Sequence, residues 1–337
     1  MTSSSSAPRP SGFRALLLAL VVAVVLAIVA TTPPAPRPAS APPEVFSAER
    51  AMIDVRAIAA TPHVTATPEN ARVRAYLLQR MASLGLQTST QQGLLEGKGL
   101  ARRNRWSGRA DPALPLVNLI GVLPGRDRSL PALMLMAHHD SVWGSPGAAD
   151  DTAGVAATLE VIRALRQDGM PPRDVIVLFT DAEELGLEGA RQFWATHPLR
   201  QRVGVVINME ARGGGGRTTM FQTSARNGDA ARLYAAAVRH PATSSLAAFV
   251  YSVLPNDTDL TPFLRAGVTG YNFAFVVSFQ RGIGHHHTFV CHCFDIVFHF
   301  AFGSRFVPVH HDTFTFFWSF PCKRLTAGLS KTKRSNH

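Results

Sequence analysis

The chain has 337 residues, 46% of them hydrophobic and 17% charged, with a formal net charge of +11. Such a composition excludes a disordered chain and allows one large α/β core or two modest domains. The positive excess does not point to nucleic acid, because much of it sits in two runs, 98–109 and 323–334, without a recognition-helix, zinc-finger or RNA-binding aromatic signature. Cys291, Cys293 and Cys322 all lie late in the chain, which excludes a disulfide framework for the main fold.

Residues 15–30 are almost purely aliphatic and follow Arg9 and Arg14. With Phe13, Thr31 and Thr32 the run approaches the roughly 20 residues that cross a bilayer. Ala39-Ser40-Ala41 loosely resembles a cleavage site, but Pro42 disfavours cutting, so 1–32 reads as a cytoplasmic stub and an uncleaved signal anchor. The positive-inside rule keeps Arg9 and Arg14 cytoplasmic and places the rest of the chain on the non-cytoplasmic side as a single-pass protein. The stretch 33–43 is a proline-rich, extended linker.

Residues 44–60 are predicted helical. Thr67 and Pro68 open a second helix that Gly85 stops, with Val73, Leu77, Met81 and Leu84 on one apolar face. Residues 93–112 are expected to be a polar, basic loop. Strands follow at 117–123 and 133–137, then a helix at 152–165, a strand at 175–179, a helix near 187–196 and a strand at 203–207. The tetraglycine 213–216 lacks the Lys-Ser/Thr ending of a phosphate loop. A helix is expected at 229–240, a loop leading into a helix start at 254–263, and a turn and strand at 267–275. Strand–helix alternation of this kind predicts an α/β fold, three-layer α/β/α around a central mixed, mostly parallel sheet. Beyond Val276 the helical periodicity disappears, and 289–337 is an atypical Phe/His/Cys-rich tail. The folded domain is therefore expected to span 44–288.

Three apolar runs stop at chemistry-bearing residues. The first ends at His138-His139-Asp140, the second at Asp181-Ala182-Glu183-Glu184, and the third at Asn208-Met209-Glu210, with Asp150-Asp151 between the first two. Singly, each has a plainer explanation: a structural His-x-Asp, a helix N-cap, a solvated acidic pair. Together they form the imidazole and carboxylate set that holds zinc or a similar divalent ion, where open α/β sheets collect functional groups.

The segments 137–141 (AHHDS), 147–154 (GAADDTAG), 181–189 (DAEELGLEG) and 208–212 (NMEAR) resemble the motifs of the M28-family zinc peptidases and are most similar to its membrane-associated branch. The likeness runs from about residue 49 to residue 275. It implies a zinc-exopeptidase-like fold and an aminopeptidase with two co-catalytic zinc ions acting on peptides with a free N-terminus. By that resemblance His138 binds one metal, Asp140 steadies its imidazole, Asp150 bridges both metals, Glu184 binds the second and Glu210 completes the first. Glu183 is the general base, and Asp151 lies at the helix start. The segment 257–263 (DTDLTPF) resembles a later motif lining the cleft, and reads equally as a capped turn before a helix. The family's last ligand is a His in Tyr-His-Thr-Pro. Here the corresponding residue is His287, with His285 and His286 beside it, but Phe289-Val290 follow Thr288 where Pro is expected. Two alternatives accompany this reading: a single-zinc cyclase or amidohydrolase on the same fold, and a catalytically impaired, membrane-anchored binding or scaffold domain. The joint presence of His138, Asp150, Glu184 and Glu210 favours two metals.

Overall fold

The structure is a computed structural model that describes residues 12–32, 35–211, 217–225, 227–255 and 257–275. In chain order the elements are α1 (Gly12–Thr31), α2 (Ala48–Ile58), α3 (Pro68–Ser83), β1 (Gln87–Leu95), α4 (Gly97–Ser107), β2 (Leu114–Leu123), β3 (Ala132–His138), α5 (Thr152–Leu165), β4 (Val175–Thr180), α6 (Glu188–Thr196), β5 (Val203–Ala211), β6 (Thr218–Thr223), α7 (Gly228–Ala237), α8 (Ser245–Val253), α9 (Thr261–Arg265) and β7 (Thr269–Phe275).

The strands form one sheet in the order β1-β2-β4-β3-β5-β7-β6. Neighbours β4, β3, β5 and β7 pair in parallel, while β1–β2, β2–β4 and β6–β7 pair antiparallel. Only β2 and β6 therefore run against the rest, and the mixed, mostly parallel sheet expected from the sequence is present. Parallel central strands are covered on both faces, which is why β3 and β4 are buried along their whole length and apolar up to their last residues, His138 and Thr180. Alternation along them sorts the core into two layers. Leu133, Leu135, Val175 and Val177 face α2, α3 and α5. Met134, Met136, Ile176 and Leu178 face Phe193 of α6 and Phe263 just before the turn into β7. Truncating a fully buried ring such as Phe179 to alanine would cost about 3–5 kcal/mol.

Local chemistry sets the helix starts. Ser47, Thr67, Asp151 and Ser244 cap α2, α3, α5 and α8, each accepting a backbone N–H three residues on. α1 has an 18-residue window, Gly12–Val29, apolar and long enough to cross a membrane.

Four elements, β1, α4, β6 and α8, depart from the sequence expectation. The basic segment 93–112 is not a loop: it holds the end of β1 and the helix α4, which buries Leu100 and Arg103 beneath its charged surface. Strand β6 and helix α8 were not anticipated. The proline-rich stretch was expected to be an extended linker, but its described part folds into turns closed by Ala41 N–H to Pro38 O and Val45 N–H to Pro42 O. Residues 37–45 lie against α2 and α5 through side-chain hydrogen bonds to their carbonyls. The expected tail 289–337 lies outside the described residues.

Candidate active site

The parallel register brings the motifs to one edge. His138 ends β3 opposite Thr180 at the end of β4, and Met136 lies opposite Asn208 on β5. Two residues further on, Glu210 reaches the level of His138. Residues 138, 180, 208 and 210 share the parity of Met134, Met136 and Val206, so they belong to the α6 side of the sheet.

His138 is 1% exposed. Its Nδ1 lies 2.9 Å from the Asp140 backbone oxygen and 3.4 Å from the Asp140 carboxylate. Both are acceptors, so Nδ1 carries a proton and Nε2 is the nitrogen that faces outward. Nε2 lies 3.0 Å from Asp150 Oδ1. Ligand atoms of His138, Asp150 and Glu184 all fall within 4.8 Å of one another. Asp150 is half exposed, which leaves this group open to solvent on one side.

Asp140 does more than face the imidazole. Its carboxylate accepts the backbone N–H of Glu183 at 3.1 Å and of Glu184 at 3.4 Å. The turn that presents those glutamates starts from buried Asp181, whose carboxylate accepts from Thr65 Oγ1, Val117 N and Ala182 N. Ala182 adopts a left-handed φ of 58°, uncommon for a residue with a Cβ, and these bonds hold it there. Gly189 closes the turn. A Cβ there would meet Asn118 Oδ1 and the Asp181 carbonyl at 2.4 Å each, a contact only glycine avoids. Asp151 caps α5 through Gly154 N and also accepts the His138 N–H at 3.3 Å. His139 points away from the cluster, its ring held by the Val117 carbonyl and Asn70.

Charge is unbalanced at this edge. Burial, joined by neighbouring carboxylates, pushes the carboxyls of Glu183, Glu210 and Asp151 well above the usual range. Burial raises Glu184 to about 7. For His138, burial opposes protonation, but hydrogen bonds to Asp140 and Asp150 outweigh it and raise its pKa. A divalent cation is the group that would relieve such a cluster, and an oriented imidazole beside several carboxylates is the donor set zinc takes. The residues fit a metal.

Of the expected site residues, the structure brings together His138, Asp150 and Glu184, with Asp140 bonded to both sides and Glu183 adjacent in the turn. Glu210 is buried on β5, accepts from Asn208 Nδ2 at 3.1 Å, and lies outside that three-residue group. His287 lies outside the described residues. Asp259, which the sequence left open between cleft and cap, is buried against Thr180 Oγ1; burial raises it to about 7, with the His138 charge opposing. Its second oxygen has no hydrogen-bond partner among the described residues. Sequence spacing gave no sign of Thr65, which is 116 positions from Asp181.

Residues 118–291 match the profile of Peptidase family M28. The chain is 33% identical over 226 residues to the vacuolar membrane protease of Candida dubliniensis, covering 66% of this chain and 24% of that protein. It is 34% identical over 165 residues to endoplasmic reticulum metallopeptidase 1 of Mus musculus, covering 48% and 18%. It thus spans about a quarter or less of the length of these curated relatives. Among solved structures, the aminopeptidase from Aneurinibacillus sp. strain AM-1 superposes with a TM-score of 0.58 at 15% identity, covering 79% of this chain and 97% of that one. Porphyromonas gingivalis glutaminyl cyclase gives 0.53 at 18% identity, covering 75% and 95%. At such identities these likenesses speak for the fold, whereas the profile match spans half the chain and the segments 137–141, 147–154, 181–189, 208–212 and 257–263: the chain belongs to peptidase family M28.

Proposed function

We propose that this chain is a zinc-dependent exopeptidase, an aminopeptidase that hydrolyses the N-terminal peptide bond of peptides. The observation that carries the reading is the convergence of His138, Asp150 and Glu184 within 4.8 Å, beside a half-buried Glu183 whose backbone is pinned by Asp140. The relatives and structural neighbours bearing protease and aminopeptidase names support it.

His138, Asp150, Glu184 and Glu210 would hold two zinc ions, with His287 as the remaining ligand. Bound zinc supplies Lewis acidity, lowering the pKa of water and polarising the scissile carbonyl. Glu183 accepts a proton from the attacking water on a carboxylate oxygen and delivers it to the departing amine nitrogen. A base whose pKa is raised by burial is suited to both halves of that transfer near neutrality. Asp140 keeps His138 in the tautomer with a free Nε2 and keeps Glu183 in reach of the same point. The acidic surroundings would hold the substrate's α-ammonium, which makes a free N-terminus a requirement. α1 would anchor the chain in a membrane, with the domain on the non-cytoplasmic side.

The deciding experiment is metal analysis of the purified protein together with hydrolysis of one peptide in unblocked and N-acetylated forms. Two zincs per chain and cleavage of the unblocked peptide alone are expected. A second reading, a single-zinc cyclase, is favoured by the one imidazole in the three-residue group. One zinc per chain, and ring closure of an N-terminal glutamine without hydrolysis, would replace the aminopeptidase reading with it. No bound metal and no turnover would leave a binding domain.

A further inference from the structure

The proline-rich stretch is fastened to the domain. Arg50 on α2 donates to the carbonyls of Ala39 at 2.7 Å and Ala41 at 2.8 Å, and reaches those of Pro42 and Val45. Arg163 on α5 donates to Pro43 O at 2.6 Å and Val45 O at 3.1 Å. Ser47 Oγ lies 2.8 Å from the Pro38 carbonyl, and the Ala39 N–H donates to Glu49 at 2.8 Å. Both guanidinium groups are held by Glu160, itself 2% exposed, which also accepts the Ser47 N–H. A free spacer would leave these carbonyls to water; here two buried-rooted arginines take them.

This fastening fixes a direction. α5 starts at Asp151, beside the site, and runs away from it, so Glu160 and Arg163 lie about 14 and 18 Å further along its axis at 1.5 Å per residue. α2 packs against α5 and runs back the other way. It begins at Ser47, bonded to Glu160, and leads into the loop where His63 N donates to Ser141 and Thr65 bonds Asp181. The strap therefore sits at the far end of both helices, on the α5 face of the sheet, while His138 and Glu210 belong to the opposite face. Between Thr31, which ends α1, and Arg37 only residues 32–36 intervene, a reach of about 20 Å at full extension.

We infer that residues 37–47 are a rigid strap that mounts the domain on the lipid surface by the Glu160 end of α2 and α5, so that the cleft opens away from the bilayer. The substrates are then soluble peptides of the aqueous compartment, and the termini of neighbouring membrane proteins lying close to the bilayer are out of reach. The placement rests on α1 being a membrane span and does not depend on turnover.

The test uses the full chain with Cys291, Cys293 and Cys322 replaced by serine and reconstituted in phosphatidylcholine–phosphatidylglycerol vesicles carrying a headgroup nitroxide. A single fluorophore is attached through Gln167→Cys, at the strap end of α5, or through Pro146→Cys, in the exposed loop at the site end. Quenching is expected to be several-fold stronger at 167 than at 146. The double substitution Glu160→Ala with Arg163→Ala should shrink that difference and speed elastase cleavage after Ala39, within the strap. Equal quenching at the two positions, or stronger quenching at 146, overturns the inference, as does a chain that fails to float with the vesicles. A preserved quenching gradient without hydrolysis of any peptide supports the mounting and sinks the aminopeptidase reading instead.

Discussion

The carboxylate of Asp140 accepts the backbone N–H of Glu183 at 3.1 Å, while its own backbone oxygen takes Nδ1 of His138 at 2.9 Å. One residue thus fixes the imidazole at the end of β3 and the glutamate turn after β4 to each other. Asp140→Ala keeps the backbone oxygen on Nδ1 but removes the carboxylate, which lies 3.4 Å from Nδ1 and holds the glutamate turn. It should lower zinc affinity by about 10-fold, the low end of the scale for losing a group that orients a ligand, and turnover with it. Asp140→Asn keeps an amide oxygen able to accept from Glu183 N–H and should fall between wild type and alanine. Zinc retention against a graded chelator series, read beside kcat, checks this. Wild-type retention in the alanine variant would show that the backbone oxygen alone orients His138 and that the carboxylate adds nothing.

Glu183 is half-buried next to a candidate ligand, yet it is outside the group of residues whose ligand atoms converge. Glu183→Ala is therefore expected to keep its zinc and to lose at least about two orders of magnitude in kcat, the usual scale for removing a general base. KM should change little. Zinc content by mass spectrometry and initial rates on an unblocked peptide test the two halves separately. Loss of zinc in this variant would make Glu183 a ligand instead, and unchanged kcat would remove it from the chemistry.

What the sequence disclosed follows from how local each signal is. β3 and β4 are continuous apolar runs because both faces are covered, and α5 announces itself through the Asp151 cap and a full apolar stripe. The chemistry-bearing residues sit where those runs stop, so they were legible as well. β1 was not, since Gln87–Leu95 is mostly exposed and owes its shape to pairing with β2 rather than to alternation. α4 hid its inward face behind arginines, one of which, Arg103, is itself buried. The contacts of Thr65 with Asp181 and of Asp259 with Thr180 join positions 116 and 79 apart, and no spacing rule reports them.

Gly189 offers a test of the turn itself. Its missing Cβ makes room for the Asp181 carbonyl and Asn118 Oδ1, and the carbonyl is backbone that cannot swing aside. Gly189→Ala must shift the 181–189 turn, costing about 1–3 kcal/mol as overpacking does. The glutamates ride on that turn, so kcat should fall further than stability alone explains. Urea unfolding and kcat measured on the folded fraction separate the effects. An alanine variant with wild-type kcat would show that Glu183 tolerates movement of its support.

The buried acids give metal-free protein a pH dependence whose sign can be worked out. Burial holds Glu184 and Asp259 at about 7 and raises Glu183 and Glu210 well above the ordinary range. A carboxyl raised on folding binds its proton more tightly in the native state than in the unfolded chain. It favours the fold while protonated, and that advantage is lost as pH climbs from the unfolded value toward the folded one. His138, raised through Asp140 and Asp150, has the same sign, its contribution being complete below the unfolded pKa and lost as pH rises through the folded one. Chelator-treated protein should therefore melt lower at about pH 8 than at about pH 5.5, by about 5 °C or more, the shift that 1–2 kcal/mol produces in a domain of this size. Zinc neutralises the same carboxylates without a proton, so zinc-loaded protein should show a much flatter profile and a higher Tm at the alkaline end. Paired calorimetric scans across that window decide the matter. A metal-free Tm that stays level or rises with pH would mean the carboxylates are already compensated by the protein, and the cluster would no longer call for a cation.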